Sequence, residues 1–324
     1  MKDQAEKLRM QMQKKYNSSG RSIAVVSGKG GVGKSNFSMN FASLLVKEGK
    51  KVVIVDMDIG MGNIHILIGK TVQVSLTDYL EGNSLLDDVI YEGPNGLKYI
   101  SGGSGMTSIV EWSPAMFNKL VEAFQFLQTQ FDYILFDMGA GATSWSLQLL
   151  TSVDDIIVIS TTEPTSIMDA YSMMKYIHLK DSDKTFYLLC NRVFNREEGE
   201  ETLDRLQSVM QRFLSKEVIK LGSLPEDPVV RKSVKEQVPF TTLYPDAPIS
   251  KTMQRIVLRF IQQSTAEVHP EEEKKGFIVK LKSIEQLQQV ADGVKKAQQM
   301  AEKAKKLAND VKKAVEDVKA AIEN

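Results

Sequence analysis

Eight residues, Gly28-Lys29-Gly30-Gly31-Val32-Gly33-Lys34-Ser35, constrain this chain more than any other stretch. They follow the β-branched run Ser22-Ile23-Ala24-Val25-Val26, which predicts a buried strand. They lead into Asn36-Phe37-Ser38-Met39-Asn40-Phe41-Ala42-Ser43-Leu44-Leu45, which predicts a helix. Strand, glycine-rich turn and helix together form the context of a P-loop. The glycines let backbone N–H groups converge on a polyphosphate, and the helix N-terminus adds partial positive charge. Lys34 then reaches the terminal phosphates, and the Ser35 hydroxyl is placed to ligate Mg²⁺. Asn36, the first residue of that helix, is counted with the nucleotide-binding residues.

The alternation that follows extends this unit into a domain. Strands are expected at Lys51–Asp56, Leu97–Ile100, Tyr133–Asp137, Asp155–Ser160, Thr185–Cys190 and Val218–Leu221. Helices fit between them: Ala115–Thr129 after the Ser113-Pro114 start signal, a run from Thr165 to Ile177, Glu200–Leu214 and Ile249–Ile261. Such alternation predicts an α/β fold, a mainly parallel twisted sheet with helices on both faces. Ligands of these sheets gather at the carboxyl ends of the strands. Asp56 and Asp58 sit there, spaced to project to one side of an extended chain, where one can serve a metal-bound water and the other an attacking water. Asp137 ends an apolar strand at the position expected for Mg²⁺ coordination, and Gly139 and Gly141 beyond it suit a mobile switch. Asn191-Arg192 and Pro225-Glu226-Asp227-Pro228 follow two further strands and by themselves read only as turns.

Composition excludes several alternatives. The 324 residues carry 41 basic and 41 acidic side chains, a formal charge of zero, so no global field draws the chain to nucleic acid. The single cysteine, Cys190, excludes a disulfide framework or a four-cysteine metal site within one chain. It is expected in a buried strand. No N-terminal apolar segment and no run near about 18 apolar residues occurs, which points to a cytoplasmic protein meeting a membrane only peripherally.

The ends differ in character. Residues 1–20 are polar, with Asp3–Met12 able to form a short helix before the flexible joint Asn17-Ser18-Ser19-Gly20; a disordered terminus is the other reading. Residues 264–273 read as a solvated linker. In 274–284, Phe277, Ile278, Leu281 and Ile284 share a helical face, with Lys275, Lys280 and Lys282 outside it. That pattern suits a helix lying on an anionic bilayer, and equally a helix folded back onto the domain. Residues 285–324 continue an alternation of three- and four-residue spacings from Leu287 to Ile322, which fits a weak coiled coil or a lone helix. No role for this tail follows from its sequence.

The second P-loop lysine, Lys29, carries a family resemblance. With Lys34, Asp58 and Asp137 it makes residues 21–285 similar to the deviant Walker A ATPases, the group of MinD, ParA and the nitrogenase iron protein. The resemblance implies bound ATP or ADP with Mg²⁺ and an ATP-sandwich homodimer, in which Lys29 touches the other subunit's nucleotide. It implies that Asp58 activates the attacking water, that Ser35, Asp56 and Asp137 serve the metal, and that Asn191, Arg192, Pro225, Glu226 and Asp227 cradle adenine. Within that group the chain resembles the FlhG type (also called FleN or YlxH), regulators of flagellar number and placement. Asp3-Gln4-Ala5-Glu6-Lys7-Leu8-Arg9 matches its N-terminal activator motif. Asn95–Gly105 matches its glycine-rich loop, and 274–284 its membrane helix. The match implies that Asp3, Gln4, Ala5, Leu8 and Arg9 engage an FlhF-type GTPase, with Gln4 near its site, and that flagellar C-ring proteins and anionic lipid are further partners. The tail departs from the pattern. A ParA-like positioning ATPase is the alternative. It calls for a basic surface that a neutral chain does not advertise.

Overall fold

The computed structural model describes residues 20–59, 62–103, 113–141, 144–266, 277 and 280–281. The strands are β1 (Arg21–Val26), β2 (Val52–Asp56), β3 (Tyr91–Glu92), β4 (Lys98–Ile100), β5 (Tyr133–Asp137), β6 (Asp155–Ser160), β7 (Thr185–Val193) and β8 (Ile219–Pro225). The helices are α1 (Lys34–Lys47), α2 (Ile64–Leu67), α3 (Leu76–Glu81), α4 (Pro114–Gln130), α5 (Ser144–Ser152), α6 (Pro164–His178), α7 (Arg196–Leu214), α8 (Pro228–Glu236), α9 (Phe240–Leu243) and α10 (Pro248–Ala266). The strands form one sheet in the order β3-β4-β2-β5-β1-β6-β7-β8, parallel except where β3 meets β4.

All residues of β2, β5 and β6 are buried, as strands covered by helices on both faces require. From β1 the sheet grows through β5 and β2 on one side and through β6 and β7 on the other. The carboxyl end of β1 therefore opens at the point where such sheets bind ligands. Helix α1 leaves directly from that end and packs inward. Phe37 stacks on Phe41 at 5.2 Å, and Phe41 meets Phe260 of α10 edge-on at 5.3 Å. At the opposite end of β1, the Arg21 guanidinium forks onto Asp155 of β6 and reaches the Ser264 carbonyl at 2.6 Å. This ties the first strand to the last helix. A forked guanidinium–carboxylate pair fixes orientation as well as proximity.

The parallel strands agree with expectation to within a residue or two, apart from longer C-terminal ends on β7 and β8. The antiparallel edge strand β3 is an addition. At two residues it is too short to show alternation, and its return turn depends on left-handed Asn95 (φ 56°) and Gly96 (φ 82°). Helix α7 begins at Arg196 instead of Glu200, because the Asn195 side chain accepts from the Glu198 backbone and caps it four residues earlier. Helices α2, α3, α5, α8 and α9 are additions to that expectation; each is too short to show clear periodicity, and α3 and α8 are fixed by side-chain caps from Ser75 and Asp227.

The chain divides into two compact units, Met1–Ile278 and Val279–Asn324. In the first, Phe277 is buried, its ring 5.7 Å from that of Phe124 and 5.8 Å from that of Phe136. This corrects the expectation of an uncovered apolar face at that position: Phe277 is a core side chain here, and the folded-back reading describes it. In the second unit Leu281 is buried and Lys280 half-buried. Ile278, Lys282, Ile284, the N-terminal Asp3, Gln4, Ala5, Leu8 and Arg9, and the remaining tail lie outside the described residues. No described helix is long and apolar enough to cross a membrane.

Candidate functional site

The turn from Gly28 to Ser35 is shaped for close backbone approach. Gly31 (φ 78°) and Gly33 (φ 97°) lie in the left-handed region, and Gly33 starts α1. Space for a side chain at Gly31 is empty, and at Gly30 the nearest atom is the Ala140 methyl at 3.9 Å. Gly28 differs, because a Cβ there would lie 2.2 Å from the Asp169 backbone of α6. Its smallness serves the packing of turn on helix. Val32 is buried, and its carbonyl accepts from the Asn191 amide at 2.7 Å. The Asn36 side-chain oxygen is buried with no protein hydrogen-bond partner.

Lys34 curls back into its own loop, donating to Ser27 Oγ at 3.0 Å. Burial lowers its pKa, while the charges of Asp137 and Asp58 oppose that shift. Asp137 is buried and accepts from Ser38 at 2.9 Å and from the Ser35 hydroxyl. Burial pushes it up to about 6, against the pull of Ser35, Ser38 and Lys34. Asp58 is half-buried and raised by burial, with Lys34 pulling the other way. Its carboxylate stands beside Gly139, where a Cβ would lie 3.2 Å from Asp58 Oδ1. The first residue of the expected switch is thus in contact with the expected catalytic acid. One cation, two carboxylates and the Ser35 hydroxyl therefore converge at the carboxyl ends of β1, β2 and β5.

Asp56, the other acid expected to serve the metal, is bound up in backbone hydrogen bonds. It is fully buried. One oxygen accepts from the Asp58 N–H at 3.1 Å, the other from Asn63 and Ile64 at 2.9 and 3.2 Å. Burial and the neighbouring Asp137 push it up to about 7, despite those three donors. Asp56 anchors the loop that carries Asp58, and so positions the acid two residues away.

Lys29 points the other way from Lys34. Its ammonium meets Glu163 Oε2 at 2.6 Å and Thr165 Oγ1 at 3.3 Å, at the start of α6. The two expected purine loops are neighbours: Val193 pairs with Pro225, and Arg192 Nε donates to Glu226 Oε2 at 2.8 Å. Asp227 caps α8 by accepting from Val229 at 3.0 Å. Sequence reasoning missed Ser27, Ser38, Glu163 and Thr165. Ser27 immediately precedes the glycine turn and was within its reach. The others become visible only when distant segments meet.

The donor set fits a nucleoside triphosphate with Mg²⁺. A left-handed glycine turn and a half-buried lysine line the phosphate position. Ser35 and Asp137 stand where metal ligation, direct or through water, is required. Among the described residues no cluster of three His, Cys, Asp or Glu side chains forms a metal cage by itself.

These features define a P-loop nucleotide hydrolase. A family model described as "ParA: NUBPL iron-transfer P-loop NTPase" matches residues 19–261. The antiactivator FleN of Pseudomonas aeruginosa is 34% identical over 215 residues, 66% of this chain and 77% of that protein. The flagellum site-determining protein YlxH of Helicobacter pylori is 32% identical, over 80% of this chain and 88% of that protein. The septum site-determining protein MinD from Pyrococcus horikoshii, solved with Mg-ADP, superimposes with a TM-score of 0.62 at 25% identity, covering 76% of this chain and 98% of that one. The chain belongs to the MinD/ParA family of P-loop ATPases, in its FlhG-type branch. Family membership carries ATP binding and hydrolysis.

Proposed function

We propose that this chain is an ATP-driven switch of the FlhG type, in which ATP with Mg²⁺ closes two copies face to face and slow hydrolysis reopens them. The observation that carries the reading is the division of labour between two lysines in one turn. Lys34 is drawn inward to Ser27, beside its own phosphate position. Lys29 is half-exposed and directed outward. An outward cation in a P-loop is what a second subunit's γ-phosphate needs. Asp58 acts as the acid that orients and activates water, held by the Asp56 anchor. Mg²⁺, when bound, neutralises charge developing on the phosphates.

The output of the switch is regulation of flagellar number and placement. The N-terminal segment stimulates an FlhF-type GTPase through Gln4. The 274–284 segment meets anionic lipid once Phe277 leaves its packing against Phe124 and Phe136, and flagellar C-ring proteins are further partners. These assignments rest on the motifs and on the similarity to the antiactivator FleN and the flagellum site-determining protein YlxH.

The test is light scattering on the full chain with ADP and then with ATP and Mg²⁺, for wild type and Asp58→Ala. A dimer with ATP alone, persisting longer in the variant, supports the reading. An assembly state indifferent to nucleotide overturns it, provided a chain lacking residues 285–324 behaves the same way. Loss of FlhF-type stimulation in Gln4→Ala, with dimerisation intact, tests the partner assignment separately.

A further inference from the structure

The glycine-rich stretch that follows β4 packs against the loop carrying the two acids of β2. Strands β2 and β4 run parallel and side by side, so their carboxyl ends deliver residues 101–103 and 56–58 to the same place. A Cβ on Gly102 would lie 2.6 Å from the Asp56 carbonyl oxygen and 3.3 Å from that of Asp58. Gly102 is needed there for its size, since its backbone is not left-handed. On the returning limb of the acid loop, the Gly62 N–H donates to the Gly103 carbonyl at 3.3 Å. The Asp56 carboxylate holds that loop from within, through the N–H groups of Asp58, Asn63 and Ile64. The glycine stretch is a wedge set against it from outside.

The wedge has its own support. The Leu76 N–H donates to the Ser101 carbonyl at 2.8 Å, and the Thr77 hydroxyl donates to the Gly102 carbonyl at 3.2 Å. Both donors open α3, whose start is fixed by a capping box between Ser75 and Asp78. Two reciprocal bonds tie α3 to α4. The Tyr79 hydroxyl donates to the Lys119 carbonyl and the Lys119 ammonium to the Tyr79 carbonyl, each at 3.2 Å. Thr77 and Gly102 are both buried, so water is poorly placed to replace the hydroxyl if it is removed. A continuous set of contacts therefore runs from α4 through α3, Thr77 and Gly102 to the backbone of Asp58.

We propose that Thr77 is a positioning residue for ATP hydrolysis: through the Gly102 carbonyl it sets the height of the acid-loop backbone, and with it the place of the Asp58 carboxylate. The inference rests on the reading of Asp58 as the acid that activates water, and adds what holds it. Misplacing a reacting group by about 1 Å can cost on the order of a hundredfold in rate. A wedge released from one bond moves the loop by a fraction of that. The Thr77 bond leads to the acid loop and not to the P-loop turn, so its loss acts on hydrolysis and leaves nucleotide affinity in place.

The experiment is single-turnover hydrolysis of ATP with Mg²⁺ by the full chain, for wild type, Thr77→Val, Thr77→Ser, Asp58→Ala and Thr77→Val combined with Asp58→Ala. Affinity for fluorescent ADP and melting temperature are measured on each. Thr77→Val keeps the side-chain shape and removes the donor; if it does not fold, Thr77→Ala takes its place. The valine variant is expected to hydrolyse about threefold to tenfold more slowly, the scale of one buried hydrogen bond, with ADP affinity within about twofold of wild type. Thr77→Ser restores the donor and should return the rate to within about twofold. On the Asp58→Ala background Thr77→Val should slow nothing further, because residues that act through one another do not add. A merely structural role would lower affinity and rate together and would slow both backgrounds alike. A Thr77→Val rate within twofold of wild type, a serine variant as slow as valine, or equal slowing on both backgrounds overturns the positioning role and leaves Asp58 as the acid. An Asp58→Ala protein that hydrolyses at the wild-type rate overturns the reading of Asp58, and the positioning role with it.

Discussion

The side-chain amide of Asn191 donates to the backbone carbonyl of Val32 at 2.7 Å, so the end of β7 is fastened to the middle of the P-loop. A Cβ on the adjacent Gly33 would come within 2.5 Å of the same amide nitrogen. The expected purine loop and phosphate loop are thus one mechanical unit. Ser27 just after β1, Asn191 of β7, and Glu163 and Thr165 at the start of α6 brace a turn whose own sequence is mostly glycine.

Ser27 is a hidden support of that turn. It is fully buried, donates to the Lys29 carbonyl at 2.7 Å and accepts from the Lys34 ammonium at 3.0 Å. Ser27→Ala removes both bonds and leaves a carbonyl without its donor. A loss of about 1–2 kcal/mol is expected, or roughly fivefold to thirtyfold in nucleotide affinity. Calorimetric titration with ADP measures it, and an affinity within twofold of wild type would show that Ser27 is a bystander.

The glycines of the turn separate by role. Gly28→Ala drives a methyl into the Asp169 backbone, so it should lower the melting temperature of the nucleotide-free protein as well as weaken binding. Gly30→Ala meets only the Ala140 methyl at 3.9 Å, so it should fold normally and show its effect on nucleotide alone. Parallel melting curves without nucleotide distinguish the two. Equal melting temperatures would refute the contact assigned to Gly28.

Acid stabilises the nucleotide-free site. Asp56 is raised to about 7 and Asp137 to about 6, both above the ordinary value near about 4. The native state therefore holds more protons than the unfolded chain across that interval. Their contribution is fully present below about pH 4 and is lost as pH rises through 6 and 7. Asp56→Asn removes one such proton site, so its melting temperature should fall less than that of wild type between pH 5 and pH 8. Each kcal/mol corresponds to roughly 2–4 °C in a chain of this size. A variant slope as steep as that of wild type would rule out Asp56 as a source.

Phe277 provides a structural test of the C-terminal segment. Its ring packs on Phe124 of α4 and Phe136 of β5, the residue immediately before Asp137. Phe277→Ala should cost about 3–5 kcal/mol if the ring stays in this core, a loss readable by denaturant unfolding. The same variant should bind anionic vesicles more weakly if the segment reaches a bilayer. A stability unchanged by the substitution would mean that Phe277 is not held by the domain.

The sequence by itself determined the sheet's parallel strands, the P-loop and the positions of Asp58 and Asp137. Those signals are local: a run of buried β-branched residues, a glycine spacing, an acid at a strand end. Hydrophobic periodicity and turn chemistry act within a few residues, so a single stretch records them. What the stretch does not record is which distant side chain arrives beside it. Asp56 and Asp58 look alike as a spaced acid pair. Only folding gives Asp56 three backbone donors and leaves Asp58 beside Gly139. The amphipathic stripe around Phe277 has the same ambiguity, because an apolar face satisfies a bilayer or a protein core equally well. Glu163 carried no signal at all until β6 brought it next to Lys29, 134 positions away in the chain. Tertiary structure decided these points because burial and ion pairing depend on distance in space, and a one-dimensional pattern fixes distance only along its own strand or helix.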